Sequence, residues 1–268
     1  MSSDYSISSA GLTVPDRSPC GGFTLLELMV VIAIVVLLCA IMSPSFVHVR
    51  RYVHVTVCRS NLHQLSLAHD MYTSDNDGTF FEYRNRGIYM DFLEPYHNMD
   101  AVRFCPKAPL DPTWPSNWGS HRAAWTYWTS EKQQGSYGIN GWIYSPLGRN
   151  DLGAGAGGRR YGCARNRPFP GAWYAGTYAV TYPSETPTFA DCSWVDGWPW
   201  DDDLVFDEYT GRYGYDREGH QMSRFVIDRH NMTINVALIG GQVTTMPLGD
   251  LWLLRWSAVH QPVAMQIP

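Results

Sequence analysis

Residues 22 to 42 read Gly22-Phe23-Thr24-Leu25-Leu26-Glu27-Leu28-Met29-Val30-Val31-Ile32-Ala33-Ile34-Val35-Val36-Leu37-Leu38-Cys39-Ala40-Ile41-Met42. The twenty residues from Phe23 to Met42 carry one side chain that is charged at neutral pH, Glu27. A helix of about 20 apolar residues spans the hydrocarbon of a bilayer, so 23–42 reads as a transmembrane segment. A carboxylate at the start of such a span is costly unless it snorkels to the interface or finds a partner. A cleavable secretory signal fits less well: its apolar core runs only ~7–15 residues and ends at small residues, whereas here the run is longer and the small residues precede it.

The 268-residue chain is 45% hydrophobic and 17% charged, enough to bury a core in one or two domains and unlike a disordered chain. Its net charge of −5 argues against a nucleic-acid surface, which needs clustered Lys and Arg. The nearest basic cluster, Arg159-Arg160 with Arg165 and Arg167, adjoins a glycine-rich run and reads as a solvated loop.

The segment Gly22-Phe23-Thr24-Leu25-Leu26-Glu27 and the apolar run behind it resemble the prepilin signal of type IV pilins and type II secretion pseudopilins. The resemblance implies a leader, 1–22, cut between Gly22 and Phe23 by a prepilin peptidase, and N-methylation of Phe23. It also implies that Glu27 pairs with the α-amino group of a neighbouring subunit's Phe23, and that Pro44 falls where pilin helices carry a proline. The leader departs from the usual pattern, with Arg17 its only basic residue against Asp4 and Asp16. Arg50 and Arg51 lie beyond the span, so loop charge does not set its orientation.

Past Pro44, the positions Val55, Cys58, Leu62, Leu65, His69 and Tyr72 recur at steps of three and four, one face of a helix. The alternation Val47, Val49, Val53, Val55, Val57 would suit a strand, but the longer helical period predicts one helix over 23–78 with a kink near Pro44. Cys58-Arg59-Ser60-Asn61-Leu62 through Asp75-Asn76-Asp77-Gly78 resembles a pseudopilin-like group best known from planctomycetes. Asp75 and Asp77 can be read as calcium ligands, although the spacing is not that of an EF-hand, or as a helix stop, which Asn, Asp and Gly favour.

From Thr79 to the end, Pro, Gly, Trp and Tyr rise and helical periodicity fades, predicting a loop-rich antiparallel β head over 79–268. Candidate strands are Tyr137 to Tyr144, Thr177 to Tyr182, Thr188 to Cys192, Asn235 to Ile239 and Gln242 to Met246. Gly240-Gly241 reads as a two-residue primed turn, and 248–256 as a short terminal helix. His230 is followed by nine residues and then Gly240-Gly241, a degenerate form of the His, nine residues, Asp-Gly motif of the same group. On its residues alone, His230 reads as a packing or hydrogen-bonding histidine.

Of six cysteines, Cys20 lies in the leader and Cys39 in the span, leaving Cys58, Cys105, Cys163 and Cys192 for the head. Two disulfides are plausible in an oxidising compartment, with Cys58–Cys105 first, where Phe104-Cys105-Pro106 again resembles the group. No Cys-x-x-Cys pair occurs, which argues against a zinc site. A second acidic cluster, Asp196 with Asp201, Asp202 and Asp203, is open to the same pair of readings, calcium ligands or turn residues; no cofactor is otherwise required. Trp194, Trp198 and Trp200 read first as core filling of a loop-rich domain, with an exposed aromatic platform the alternative, Trp198-Pro199-Trp200 above all.

Gly153 to Gly158 lacks the Lys-Ser/Thr of a phosphate-binding loop, and neither Gly-x-Ser-x-Gly nor His-Glu-x-x-His occurs, so a structural protein is expected rather than an enzyme. The fold expected is α+β and pilin-like, single-pass in a bacterial inner membrane with the head outside the cytoplasm. The resemblance implies as partners the prepilin peptidase, an assembly platform with its ATPase, and homologous subunits packed into a pilus or pseudopilus. The competing expectation is a membrane-tethered or filament-tip adhesin that binds polysaccharide through its aromatics.

Overall fold

In the computed structural model, residues 22–82, 88–114, 117–127, 133–145, 171–204, 209–211 and 220–267 are described. The leader up to residue 21, the glycine-rich run 153–158, Arg159, Arg160, Arg165, Arg167 and Cys163 lie outside them. The chain divides into two compact units, Met1–His48 and Val49–Pro268. Helix α1 (Leu25–Asp75) contributes to both. Helical period thus prevails over the β-branched alternation at Val47 to Val57.

In the first unit, Leu25–Met42 is long and apolar enough to cross a membrane, and none of it is buried within the protein. Every large apolar side chain from Leu25 to Leu38 in that run is exposed. A soluble fold would cover such a surface, so it is built for hydrocarbon or for other helices.

In the second unit, one face of α1 is the stripe expected from its spacing: Cys58, Leu62, Leu65 and His69 are fully buried. Each buried leucine contributes roughly 1.5–3 kcal/mol. α1 stops at Asp75 rather than at residue 78, and the stop is a Schellman cap. Asp77 (φ 53°) and Gly78 (φ 74°) are left-handed, and the Gly78 N–H donates to the Thr73 carbonyl at 2.7 Å. Two short helices follow, α2 (Tyr89–Leu93) and α3 (Met99–Val102).

The head contains a two-stranded ribbon, β1 (Trp125–Thr126) with β2 (Gln134–Gly135), and a five-stranded sheet. The sheet strands are β3 (Tyr137–Asn140), β4 (Pro187–Asp191), β5 (Asp196–Gly197), β6 (Thr233–Leu238) and β7 (Val243–Pro247), in the order β5-β3-β4-β6-β7. Every pairing in it is antiparallel except β3 with β5, which is parallel, so the sheet is mixed rather than purely antiparallel. The result is α+β, an apolar N-terminal helix ahead of a sheet head, the arrangement of pilin-like proteins.

Four local expectations are corrected. The strand expected over 137–144 ends at Asn140, whose side-chain oxygen accepts the Trp142 N–H at 3.1 Å and caps a 3-10 turn, Gly141–Ile143. Thr177–Ala179 is a 3-10 turn, because the Thr177 N–H is taken by the Gly78 carbonyl and those of Ala179 and Val180 by Gly176 and Thr177. The β6–β7 turn closes on Leu238 and Gln242, with three residues between them rather than two. Leu238 accepts from Gly241 and donates to Gln242, and Gly241 alone is left-handed (φ 78°), a type I turn with a glycine bulge. The terminal helix is a 3-10 segment, Leu248–Leu253.

Candidate functional site

At the start of α1, Phe23 is 83% exposed and Thr24 occupies the N-cap. The backbone N–H and hydroxyl of Thr24 both donate to Glu27 Oε2 at 2.8 Å, and the Glu27 N–H donates back to Thr24 Oγ1 at 3.2 Å. This is a capping box: residues Thr-x-x-Glu satisfy two amide groups that the first turn leaves open. Within one chain, then, the carboxylate has a job before any neighbour arrives. The sequence carried the signal in Thr24-Leu25-Leu26-Glu27, and it is independent of the pairing expected of Glu27 across subunits.

The second site lies in the head, where four distant segments converge. Cys58 comes from the buried face of α1. Cys105 sits in a tight turn closed by the Ala108 N–H donating to its carbonyl at 2.9 Å. Asn61 Nδ2 donates to the Phe104 carbonyl at 3.0 Å and so ties α1 to that turn. Asp191 ends β4, and His230 precedes β6, turned inward by the left-handed pair Asn231 (φ 63°) and Met232 (φ 59°). The Asp228 carboxylate fixes that turn by accepting the Met232 N–H at 2.6 Å.

The two thiol sulfurs, a carboxylate oxygen of Asp191 and a ring nitrogen of His230 all lie within 4.8 Å of one another, and all four residues are buried. Cys105 Sγ is 3.6 Å from His230 Nε2, and Asp191 Oδ2 is 3.4 Å from the same nitrogen. Asp191 Oδ2 also accepts from the backbone N–H and the side-chain amide of Asn235, at 2.8 and 3.2 Å. Asp191 Oδ1 faces Arg229 Nη1 at 3.4 Å. Arg229 is itself held by the carbonyls of Ser120, Ser136 and Cys192.

Burial and mutual contact set the protonation of the cluster. Burial pushes the Cys58 thiol up, and Cys105 adds to the effect. At Cys105 burial opposes ionisation, but hydrogen bonds from Cys58 and His230 outweigh it and lower the thiol to about 6. At His230 burial disfavours the cation, yet the Asp191 carboxylate and Cys105 raise it to about 9. Asp191 is lowered because His230 and Arg229 overcome its burial. The arrangement is not a catalytic triad. In a triad the orienting carboxylate takes the ring nitrogen opposite the nucleophile, whereas here sulfur and carboxylate crowd one nitrogen, and Cys105 is fully buried.

The other candidate residues fall elsewhere. Cys58 and Cys105 meet, as the first-choice disulfide required, but stand as free thiols; Cys192 is also free and buried. Asp75 and Asp77 lie at the capped end of α1. Asp203 is fully buried and its Oδ2 accepts the Trp200 and Met222 N–H groups, a structural role. Among the described residues, neither acidic cluster belongs to a convergent group of three metal-ligating side chains.

Trp194, Trp198 and Trp200 are 7, 1 and 8% exposed, so they pack in the core, as the favoured of the two readings had it, and the exposed platform is not found at these residues. Asp191 was missed by sequence reasoning, because a single aspartate at a strand end carries no motif.

A helix with an exposed apolar run and a capped Thr-x-x-Glu start, ahead of a sheet head, defines the class: a pilin-like precursor. Residues 17–43 match the family described as the prokaryotic N-terminal methylation motif. That motif marks precursors processed by a prepilin peptidase into pilin-like assemblies, and with the apolar helix behind it is consistent with membrane anchoring. No curated protein and no solved structure matches the chain.

Proposed function

We propose that this protein is a structural subunit of a type IV pilus or type II secretion pseudopilus. In this reading the peptidase cuts between Gly22 and Phe23, and the mature chain sits once across a bacterial inner membrane with its head outside the cytoplasm. An assembly platform and its ATPase then draw subunits out, and their apolar helices pack against one another. The carrying observation is the methylation motif at 17–43, set on a helix whose apolar run from Leu25 to Met42 has no cover of its own. Neighbouring subunits would supply that cover, and the Glu27 carboxylate would pair with the α-amino group of the next subunit's Phe23.

The test is N-terminal peptide mass spectrometry on membrane-extracted protein, with and without a co-expressed prepilin peptidase. The expected mature chain begins at N-methylated Phe23. A chain that keeps its leader when an active peptidase is present would overturn the assignment.

A further inference from the structure

We propose that Cys58, Cys105, Asp191 and His230 form a binding site for a single Zn2+ ion, which pins α1 and the Cys105 turn to the β4 and β6 strands of the head. This goes beyond the filament reading and does not depend on it.

Four arguments carry the assignment. First, two of the ligand separations match those of a tetrahedral shell. With Zn–S of ~2.3 Å and Zn–N or Zn–O of ~2.0–2.2 Å, ligand atoms at a tetrahedral angle stand about 3.5 Å apart for sulfur and nitrogen and about 3.4 Å for nitrogen and oxygen. The observed separations are 3.6 Å and 3.4 Å, and the fourth atom, a second sulfur, lies within 4.8 Å of the rest. Second, sulfur and carboxylate address the same ring nitrogen of His230, which suits ligands sharing one ion and suits no proton relay. Third, the donor set of two thiols, one imidazole and one carboxylate selects zinc, since thiolates are too soft for calcium or magnesium.

The fourth argument is charge. Two thiolates and a carboxylate around a dication leave one net negative charge, and the buried Arg229 guanidinium beside Asp191 Oδ1 cancels it. Arg229 holds the Asp191 carboxylate from behind through Oδ1, as outer-shell partners of metal ligands do, while Asn235 donates to Oδ2, the oxygen that faces His230. A cleft of about 320 Å³ opens beside His230, and its lining is mainly basic, with Arg51, Lys107, Arg122 and Arg229 against the single carboxylate of Asp228. The bound ion requires both sulfurs as thiolates and a neutral imidazole, and protons compete for these groups, so loading weakens in acid.

The rival for the same atoms is a Cys58–Cys105 disulfide, formed by loss of two electrons and two protons to an oxidant outside the cytoplasm. The two outcomes exclude each other and are read in one experiment on the detergent-solubilised full chain. It is purified without chelator or affinity histidines, and metal content and non-reducing peptide maps are measured together. The expected result is one zinc per chain, bound as purified or taken up on addition, with Cys58 and Cys105 alkylated only after denaturation in chelator. Exchange to Co2+ then gives thiolate-to-metal charge-transfer absorption, which Cys58→Ser reduces by about half as two thiolates become one.

Because Cys58 is fully buried and its replacement puts the fold at risk, the wild-type chain supplies an independent readout: a chelator lowers its melting temperature and one equivalent of Zn2+ restores it. A Cys58–Cys105 disulfide in the mapped peptides overturns the proposal. So do two free thiols that take up no zinc, or bound cobalt without the charge-transfer band.

Discussion

The indole N–H of Trp142 donates to the carbonyl of Pro199 at 2.9 Å, which draws the Trp198-Pro199-Trp200 segment inward against the end of β3. Trp142 meets Trp200 edge-on at 4.8 Å and Trp173 at 5.3 Å, and Trp173 meets Trp198 at 6.4 Å. These indoles support one another, and their faces are spent on contact within the head. They are interior residues, the placement that a loop-rich domain short of regular layers favours over a binding surface.

Trp198→Ala is therefore expected to destabilise the head by about 3–5 kcal/mol, the range for emptying a buried indole site. Denaturant unfolding of the detergent-solubilised chain, followed by tryptophan fluorescence, measures this. A variant of unchanged stability that loses binding to a polysaccharide would return Trp198 to the surface and revive the adhesin reading.

Three glycines are expected to respond to alanine in a fixed order. A Cβ on Gly138 would lie 2.5 Å from the Trp194 carbonyl oxygen and 2.7 Å from Cys192 Cβ, so Gly138→Ala forces backbone apart at a cost of about 1–3 kcal/mol or more. Gly241 has open space but a φ of 78°, so Gly241→Ala costs roughly 1–2 kcal/mol of left-handed strain. A Cβ on Gly240 meets nothing closer than 3.6 Å, and its φ is not left-handed, so Gly240→Ala is near neutral. Gly240→Asp, which restores the acidic residue of the related motif, should be tolerated for the same reason. Equal losses at Gly240 and Gly241 would show that the turn is not the one described.

Glu27 has two roles that substitution can separate. Gln can fill the third helical position of a capping box as Glu does, but it carries no charge to pair with an α-amino group. If the pairing drives assembly, Glu27→Gln and Glu27→Ala are both cleaved by the peptidase and both fail to form filaments, as read by electron microscopy of sheared surface fractions. Filaments of normal abundance from Glu27→Gln, with loss only in Glu27→Ala, would reduce Glu27 to its bond with Thr24.

How much of this was legible follows the range over which each feature is encoded. The buried stripe Cys58, Leu62, Leu65 and His69 is periodic within one segment, so spacing sufficed to find it. The Asp77-Gly78 stop and the Thr24-x-x-Glu27 start are local chemistry, and the residue types announce them. The Cys58, Cys105, Asp191 and His230 cluster draws on four segments that meet only through the sheet order, with Cys105 and His230 alone 125 positions apart. Absence of a Cys-x-x-Cys pair therefore argued against zinc only for the compact motifs in which ligands are neighbours. The Thr177 turn was misread as a strand for a similar reason, since the carbonyl that captures its N–H belongs to Gly78.

Asp196 gives the head a pH dependence of definite sign. Its carboxyl is wholly buried, and burial pushes it up to about 6 against the pull of Arg224, whose Nη1 lies 3.3 Å from Oδ1. In the unfolded chain an aspartate titrates near 3.9. Between those values the folded state holds a proton that the unfolded state has released, so stability present below about pH 4 declines as pH rises and levels off above about pH 6. The whole contribution is about 2–3 kcal/mol. Asp196→Asn cannot titrate, so its stability relative to the parent should improve by that amount between pH 4 and pH 7, whatever fixed cost the amide incurs beside Arg224. Denaturant midpoints of the two chains across that range measure it. A difference that stays constant, or that falls as pH rises, would mean that Arg224 holds Asp196 ionised and that the pair is a buried salt bridge throughout.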